Sequence, residues 1–523
     1  MNDQLDKQGL GGTEEGQHAS GRRTWFLRAL GLIMAALVWI LLAGAEGLSP
    51  DARAVAAVGT LMAVWWMTEA VPLPATSLLP IVLLPALTER TVGEATAPYA
   101  SSLVFLFLGG FLIAIAMEKW DLHRRIALLV LDRVGVSPKR IVLGMMIATA
   151  FLSMWVSNTA TTLMMLPIGL SVLALVVERS AGEQTGAEMH ENLKEGTIAD
   201  AVADPNVKMF GICLVLSIAW SASMGGLGTL LGSPPNAIVA GYAADELGRP
   251  IGFLEWMLLG VPLAAIFVLI GWVLMVNVLY RFRLDAISGG REMIRDQISG
   301  LGPMSQAEKM VAVVFVGAAF LWIVPGLLAN IPGLGFLDAL NDTAIAIFAG
   351  LMLFLLPARG RGEMVLTWND AERGLPWGVL LLFGGGLSLA SSVAASGLDD
   401  WFGAQVSGLG MLSTILLIGS VVLIVLFLTE ITSNTATAAT FIPVLGGVAL
   451  GIGVEPLQLL IPAAFAATCA FMLPVGTPPN AIVFGTGTVT IGQMIRGGVV
   501  LNVVGVLLIT GLFYLLGGLV LGI

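Results

Sequence analysis

Charge is scarce in this sequence. Asp, Glu, Lys and Arg make up 11% of its 523 residues, while hydrophobic types make up 57%. A water-soluble domain needs a polar surface that this composition does not supply, so the soluble enzyme classes are excluded. Cysteine is equally rare. Cys213 and Cys469 both lie in apolar context, which leaves no disulfide framework and no thiolate metal spacing. The only histidines, His18, His123 and His190, fall in tail or loop regions. Neither a GK[ST] phosphate loop nor a G-x-S-x-G elbow occurs. An ATP-driven pump, a membrane hydrolase or a metalloenzyme would lack its working parts.

What fills the chain instead is long apolar runs, with a mean hydropathy of +0.91. Segments of about 17–25 apolar residues suit a hydrocarbon core roughly 30 Å thick. They recur at 27–46, 53–70, 74–88, 101–119, 208–243, 254–281, 308–326, 340–357, 375–395, 457–487 and 497–522. Two further runs, 140–178 and 411–450, are long enough for a helix pair but carry Ser-Asn-Thr near the middle. Each reads as a re-entrant hairpin, its irregular backbone tolerated because it lines a cavity. The expected fold is an all-α polytopic membrane protein with 11 transmembrane helices plus two re-entrant hairpins. Residues 1–26, rich in Gly, Gln and Glu, read as a disordered cytoplasmic tail.

Loop charge gives the orientation. Segment 118–140 holds six Lys/Arg, 281–297 four and 358–373 three, whereas 327–341, 396–411 and 446–458 hold none. With 11 crossings and two hairpins, every basic segment falls on one side and every empty one on the other. The positive-inside rule then puts the N-terminus in the cytoplasm and the C-terminus outside. The first hairpin opens from the cytoplasm and the second from outside. Segment 119–140 reads as a cytoplasmic interfacial helix, and 282–307 as a cytoplasmic linker.

The two halves repeat each other. Ser157-Asn158-Thr159 and Ser433-Asn434-Thr435 are 276 residues apart, and Ser153/Thr429, Pro167/Pro443 and Phe107/Phe383 keep that offset. "GSPPNAIVAG" (232–241) and "GTPPNAIVFG" (476–485) follow at an offset of 244. The 32-residue difference matches the acidic loop 176–207, present only in the first half. The halves thus start on opposite sides of the membrane, the inverted-topology pattern of many secondary transporters. Residues 27–281 form the first helix plus the first repeat (hairpin 140–178, broken helix 208–243). Residues 308–523 form the second (hairpin 411–450, broken helix 457–487). The doubled prolines of each Pro-Pro-Asn remove backbone donors and break a helix.

An unpaired polar group in hydrocarbon costs several kcal/mol, so the motif side chains must have partners. Carbonyl and hydroxyl oxygens suit a hard cation such as Na⁺; amide NH₂, hydroxyls and helix N-terminal N–H groups suit a carboxylate or other oxyanion. No Lys or Arg lies within 141–178, 209–243, 411–450 or 457–487. A bound anion there must have its charge balanced by a cation brought in with it, which is a physical reason for coupled transport. Glu430 is the one acid near a hairpin tip. It reads as a structural acceptor for nearby hydroxyls such as those of Thr429 or Thr432, in preference to a proton exchanger.

At these residues the chain resembles the divalent anion/Na⁺ symporter family, which includes di- and tricarboxylate carriers. The resemblance rests on both Ser-Asn-Thr motifs, "GSPPNA", "LPVGTPPNAIVFG" (473–485), "FLTEITSNTATAATFIP" (427–443) and "FLGGFLIAIAMEKWDLHRRIAL" (107–128). It implies a homodimer in the inner membrane, with a scaffold (27–119 and 308–395) and a transport unit (140–281 and 411–523) that slides in an elevator motion. It implies at least two Na⁺ sites, one at Ser153, Ser157, Asn158 and Gly232, the other at Thr429, Thr432, Asn434 and Gly476. Substrate carboxylates would meet Asn158, Thr159, Ser233 and Pro234 from one half, and Asn434, Thr435, Thr477 and Pro478 from the other. Thr432 and Gly476 depart from the family's usual residues, and the second Ser-Asn-Thr is intact, which points to symport over exchange. The implied activity is Na⁺-coupled import of C4-dicarboxylates, with citrate or sulfate transport, dicarboxylate exchange and Na⁺/H⁺ antiport as alternatives. No enzymatic activity and no nucleic-acid partner is expected.

Overall fold

Prolines and small polar residues set where the helices begin. Pro50 opens the helix Pro50–Thr68 behind Ser49, whose hydroxyl accepts from Ala52 N at 2.9 Å. Pro205 opens Pro205–Gly226 behind Asp204, which accepts from Asn206 N at 2.8 Å. In both, the proline's missing N–H falls where a helix would leave it unpaired. The computed structural model describes residues 14–135, 137–181, 204–284, 290–328, 341–359, 363–405 and 412–523.

The described chain is helical apart from one short antiparallel pair, Pro357–Arg359 with Glu363–Met364. Among the described residues nine helices are long and apolar enough to cross a membrane, and four shorter apolar helices accompany them. The first helix runs Glu14–Leu41 and so overlaps residues 14–26 of the expected tail. Residues 1–13, and 182–203 of the acidic loop, lie outside the described residues. The run 74–88 is two short helices, Leu73–Thr76 and Leu79–Leu87. Within 118–140 the helix Leu122–Val134 buries Arg125, which pairs with Glu308 at 2.8 Å and donates to Gly302 O at 3.0 Å.

The repeat seen in sequence is carried by the elements. The hairpin helices Pro138–Ser153 and Asn158–Ala181 correspond to Thr414–Thr429 and Asn434–Gly451, each pair joined by four residues. The broken helices follow: Pro205–Gly226 then Pro234–Asp245, and Leu457–Thr468 then Pro478–Gly485. The matched phenylalanines, Phe107 and Phe383, touch edge to face with ring centroids 5.0 Å apart.

Candidate binding site

Four helices start at one cavity. Asn158 and Asn434 begin the return helices of the hairpins, and Pro234 and Pro478 begin the second halves of the broken helices. All four residues line a single cavity of about 920 Å³. Each helix N-terminus carries a partial positive charge and N–H groups without helical partners. Among the described residues no Lys or Arg lines the cavity. Its other walls include Phe107, Phe111 and Val379, and its mouth runs past Glu69, Glu118 and Gly374.

The expected site residues fall in two layers. Ser157, Asn158, Thr159, Gly232, Ser233 and Pro234 line the cavity from the first half, and Asn434, Thr435, Gly476, Thr477 and Pro478 from the second. Ser153, Thr429 and Thr432 stand behind them, buried. Asn158 has its amide NH₂ towards Ser153 Oγ (2.6 Å), Ala222 O (3.0 Å) and Gly232 O (3.2 Å), the orientation in which each donor meets an acceptor. In the second half Thr429 Oγ1 lies 2.8 Å from Asn434 Oδ1 and 3.0 Å from Ala467 O. Thus each asparagine sits between a hydroxyl and backbone carbonyls at the end of a half-helix. This oxygen-rich setting suits a cation, while the opposed N-termini suit an anion. Thr432 Oγ1 is spent on Leu428 O (3.0 Å) and Thr437 (2.6 Å).

Two asparagines that the site assignment left out hold the breaks in shape. Asn236 Nδ2 donates to Gly226 O and Thr229 O, both at 2.8 Å. Asn480 Nδ2 donates to Ala470 O and Leu473 O, both at 3.0 Å. Every one of these positions is related by the 244-residue offset, so the Asn of Pro-Pro-Asn is a clasp across the unwound turn. The signal was already in the motif, as the third matched residue. Ser233 and Thr477 are the corresponding N-caps, extended at φ −149° and −144°. Thr477 accepts from Asn480 N at 3.3 Å, which leaves its O–H hydrogen to donate.

The halves differ behind the second break. There the first half-helix stops at Thr468, and Glu430 reaches from the hairpin tip to the exposed N–H groups: Phe471 N (2.7 Å), Met472 N (3.0 Å) and Leu473 N (3.2 Å). The corresponding residue in the first half is Met154, whose backbone carbonyl accepts from Thr229 Oγ1. Glu430 thus accepts from backbone N–H groups across the break, and not from the Thr429 and Thr432 hydroxyls that the sequence suggested, which turn to Ala467, Asn434, Leu428 and Thr437. Among the described residues no group of His, Cys, Asp and Glu is arranged to hold a metal ion.

Comparison with known proteins identifies the family. The model of the family described as sodium:sulfate symporter transmembrane region matches residues 23–522. The sodium-dependent dicarboxylate transporter SdcS of Staphylococcus saprophyticus is 42% identical over 499 residues, covering 94% of this chain and 92% of that protein. SdcS of Staphylococcus aureus is 41% identical over 471 residues, covering 90% and 86%. Among solved structures, the YdaH transporter of Alcanivorax borkumensis aligns with a TM-score of 0.50 at 13% identity, over 95% of this chain and 98% of that one. That likeness concerns the fold alone. With a family model spanning almost the whole chain and relatives above 40% identity, this multi-pass membrane protein belongs to the sodium:sulfate symporter family of transporters, not to an enzyme family.

Proposed function

We propose that the protein imports C4-dicarboxylates such as succinate, malate and fumarate together with Na⁺, as a secondary active symporter. The observation that carries this reading is the convergence of four helix N-termini on a cavity with no basic side chain among the described residues. Each N-terminus stabilises an anion by about 0.3–1 kcal/mol, too little to bind two carboxylates without cations alongside. The printed names of the relatives, sodium-dependent dicarboxylate transporters, support the same substrate and ion.

Na⁺ is assigned to two sites. The first is Ser153, Ser157, Asn158 and Gly232. The second is Thr429, Thr432, Asn434 and Gly476, with Thr432 contributing through its backbone because its hydroxyl is engaged. The dicarboxylate is assigned to Asn158, Thr159, Ser233 and Pro234, and to Asn434, Thr435, Thr477 and Pro478. Transport follows an elevator path in a homodimer of 11-span protomers with two inverted hairpins, N-terminus cytoplasmic and C-terminus external. On that topology the mouth beside Glu69, Glu118 and Gly374 faces the cytoplasm. The test is radiolabelled succinate uptake into proteoliposomes under an inward Na⁺ gradient, against a K⁺ control, with malate, citrate and sulfate as competitors. Na⁺-dependent uptake that yields only to malate is expected. Exchange of preloaded dicarboxylate without Na⁺ dependence would discard both Na⁺ sites.

A further inference from the structure

Ser233 of the first break and Thr468, which ends a half-helix of the second repeat, meet hydroxyl to hydroxyl at 3.0 Å. Both are closed off, at 1% and 0% exposure. Thr468 Oγ1 lies 3.1 Å from the Ala464 carbonyl and donates to it. A threonine hydroxyl has one hydrogen, so while Thr468 donates to Ala464 O it can only accept from Ser233, whose single hydrogen is then spent on it. Ser233 donates either to Thr468 or to a carboxylate in the cavity, not to both.

Thr468 is held in turn by residues of the second cation set. Its carbonyl faces Asn434 Nδ2 at 3.4 Å, and the preceding carbonyl, of Ala467, lies 3.0 Å from Thr429 Oγ1. The one hydrogen on Thr429 is shared between Ala467 O and Asn434 Oδ1. A cation that takes Asn434 Oδ1 leaves that hydrogen to Ala467 O and so changes how the end of the half-helix is held. At the 244-residue offset the first half has Met224 in place of Thr468. A methionine offers no hydroxyl, so no equivalent link joins the first cation set to Thr477.

We propose that Thr468 is a positioning residue coupling the second cation site to the substrate hydroxyl of the first half. A cation at Thr429 and Asn434 sets how readily Ser233 turns from Thr468 to an incoming carboxylate. The inference rests on the symport reading above. Such coupling is reciprocal and is worth about 5–150-fold in affinity.

The experiment compares the succinate KM of Na⁺-driven uptake at two Na⁺ concentrations tenfold apart, for the wild type, Thr468→Val and Thr468→Ser. Val keeps the shape and loses the hydroxyl; Ser keeps the hydroxyl. The wild-type KM is expected to fall about tenfold as Na⁺ rises, that of T468V less than about threefold, and T468S to follow the wild type. Lowered maximal rate or melting temperature in T468V with a wild-type Na⁺ dependence means a packing role only and overturns the proposal, as does a T468S as flat as T468V. If T468V is not recovered folded, Ser233→Ala takes its place: removing the donor must flatten the same dependence, and a slope as steep as wild type overturns the coupling. A wild type without Na⁺-dependent uptake would remove the symport reading itself and the coupling with it, a result visible before any variant is compared.

Discussion

Glu430 Oε1 and Asn502 Nδ2 lie 2.6 Å apart, in side chains exposed by 1% and 0%. Every partner of the Glu430 carboxylate is a donor, Asn502 and the backbone N–H groups of 471–473, so its geometry is that of a hydrogen-bond acceptor. Proton exchange would need a route from this buried carboxyl to water. Glu430→Gln places an NH₂ against N–H groups. It should lower stability by about 2–3 kcal/mol, read as a lower melting temperature, and reduce the maximal uptake rate. The remaining uptake should still follow Na⁺ and ignore an imposed pH gradient. Uptake or exchange that responds to the pH gradient in wild type and not in E430Q would restore the antiporter alternative.

Much of the site was legible because it is written twice. Asn158 and Asn434, Ser233 and Thr477 stand out at fixed offsets, and the structure brings both sets to one cavity. What the repeat does not duplicate was not legible. Thr468 faces Met224 across the offset, and Glu430 faces Met154, so their contacts depend on how one half packs on the other. Thr432 shows the limit in the other sense: it departs from the family's usual small residue, and only the structure shows that its hydroxyl is turned to Thr437 and Leu428.

The two proline-linked asparagines should be sensitive in the same way. Asn236→Ala and Asn480→Ala each remove two hydrogen bonds across an unwound turn and leave two carbonyls without those partners, both buried at Asn236 and one buried, one part-buried at Asn480. Each should cost about 2 kcal/mol or more in stability. The discriminating measurement is the Na⁺ concentration for half-maximal uptake, which should rise in both variants because Gly232 and Gly476 lose their fixed geometry. Asn158→Ala and Asn434→Ala, which touch both proposed ligands, should abolish coupled uptake altogether; normal transport by either would refute the site.

Two carboxyls at the end of the molecule away from the cavity mouth predict a pH effect. The 20-residue helix Trp377–Ser396 separates Gly374 at the mouth from Asp399, about 30 Å at the helical rise. Burial chiefly, with Asp400 nearby, pushes the Asp399 carboxyl above its usual range. Burial chiefly, with Asp245, also raises Glu246, against the lowering influence of Ser391 and Arg90. Both bind protons more readily folded than unfolded. Stability should therefore rise as pH is lowered through the raised folded-state range and level off below ordinary carboxylate values. Melting temperatures across that range should show the rise in wild type and a flatter profile in Glu246→Gln and Asp399→Asn.

The helix contact at that end is made through glycine. A Cβ on Gly451 would overlap the Cα of Gly403, and one on Gly447 would lie 2.7 Å from the Cα of Asp399. The obstructing atoms are backbone, so no side-chain rotation relieves the clash. Gly403 and Gly447 belong to the helices Leu398–Gln405 and Asn434–Gly451, one following the proposed scaffold and one in the proposed transport unit. Gly403→Ala or Gly451→Ala should therefore disfavour this state and shift the population away from it. Val475, 75% exposed and lining the cavity, offers a reporter as Val475→Cys, because Cys213 and Cys469 are both fully buried. Alkylation of that cysteine from the cytoplasmic side should slow about tenfold in the glycine variants, for a shift of roughly 1.4 kcal/mol. Gly419→Ala is the control, since its Cβ would meet Thr510 Cγ2 at an ordinary 3.6 Å. Equal alkylation in all three would mean that the glycine contact does not distinguish the two states.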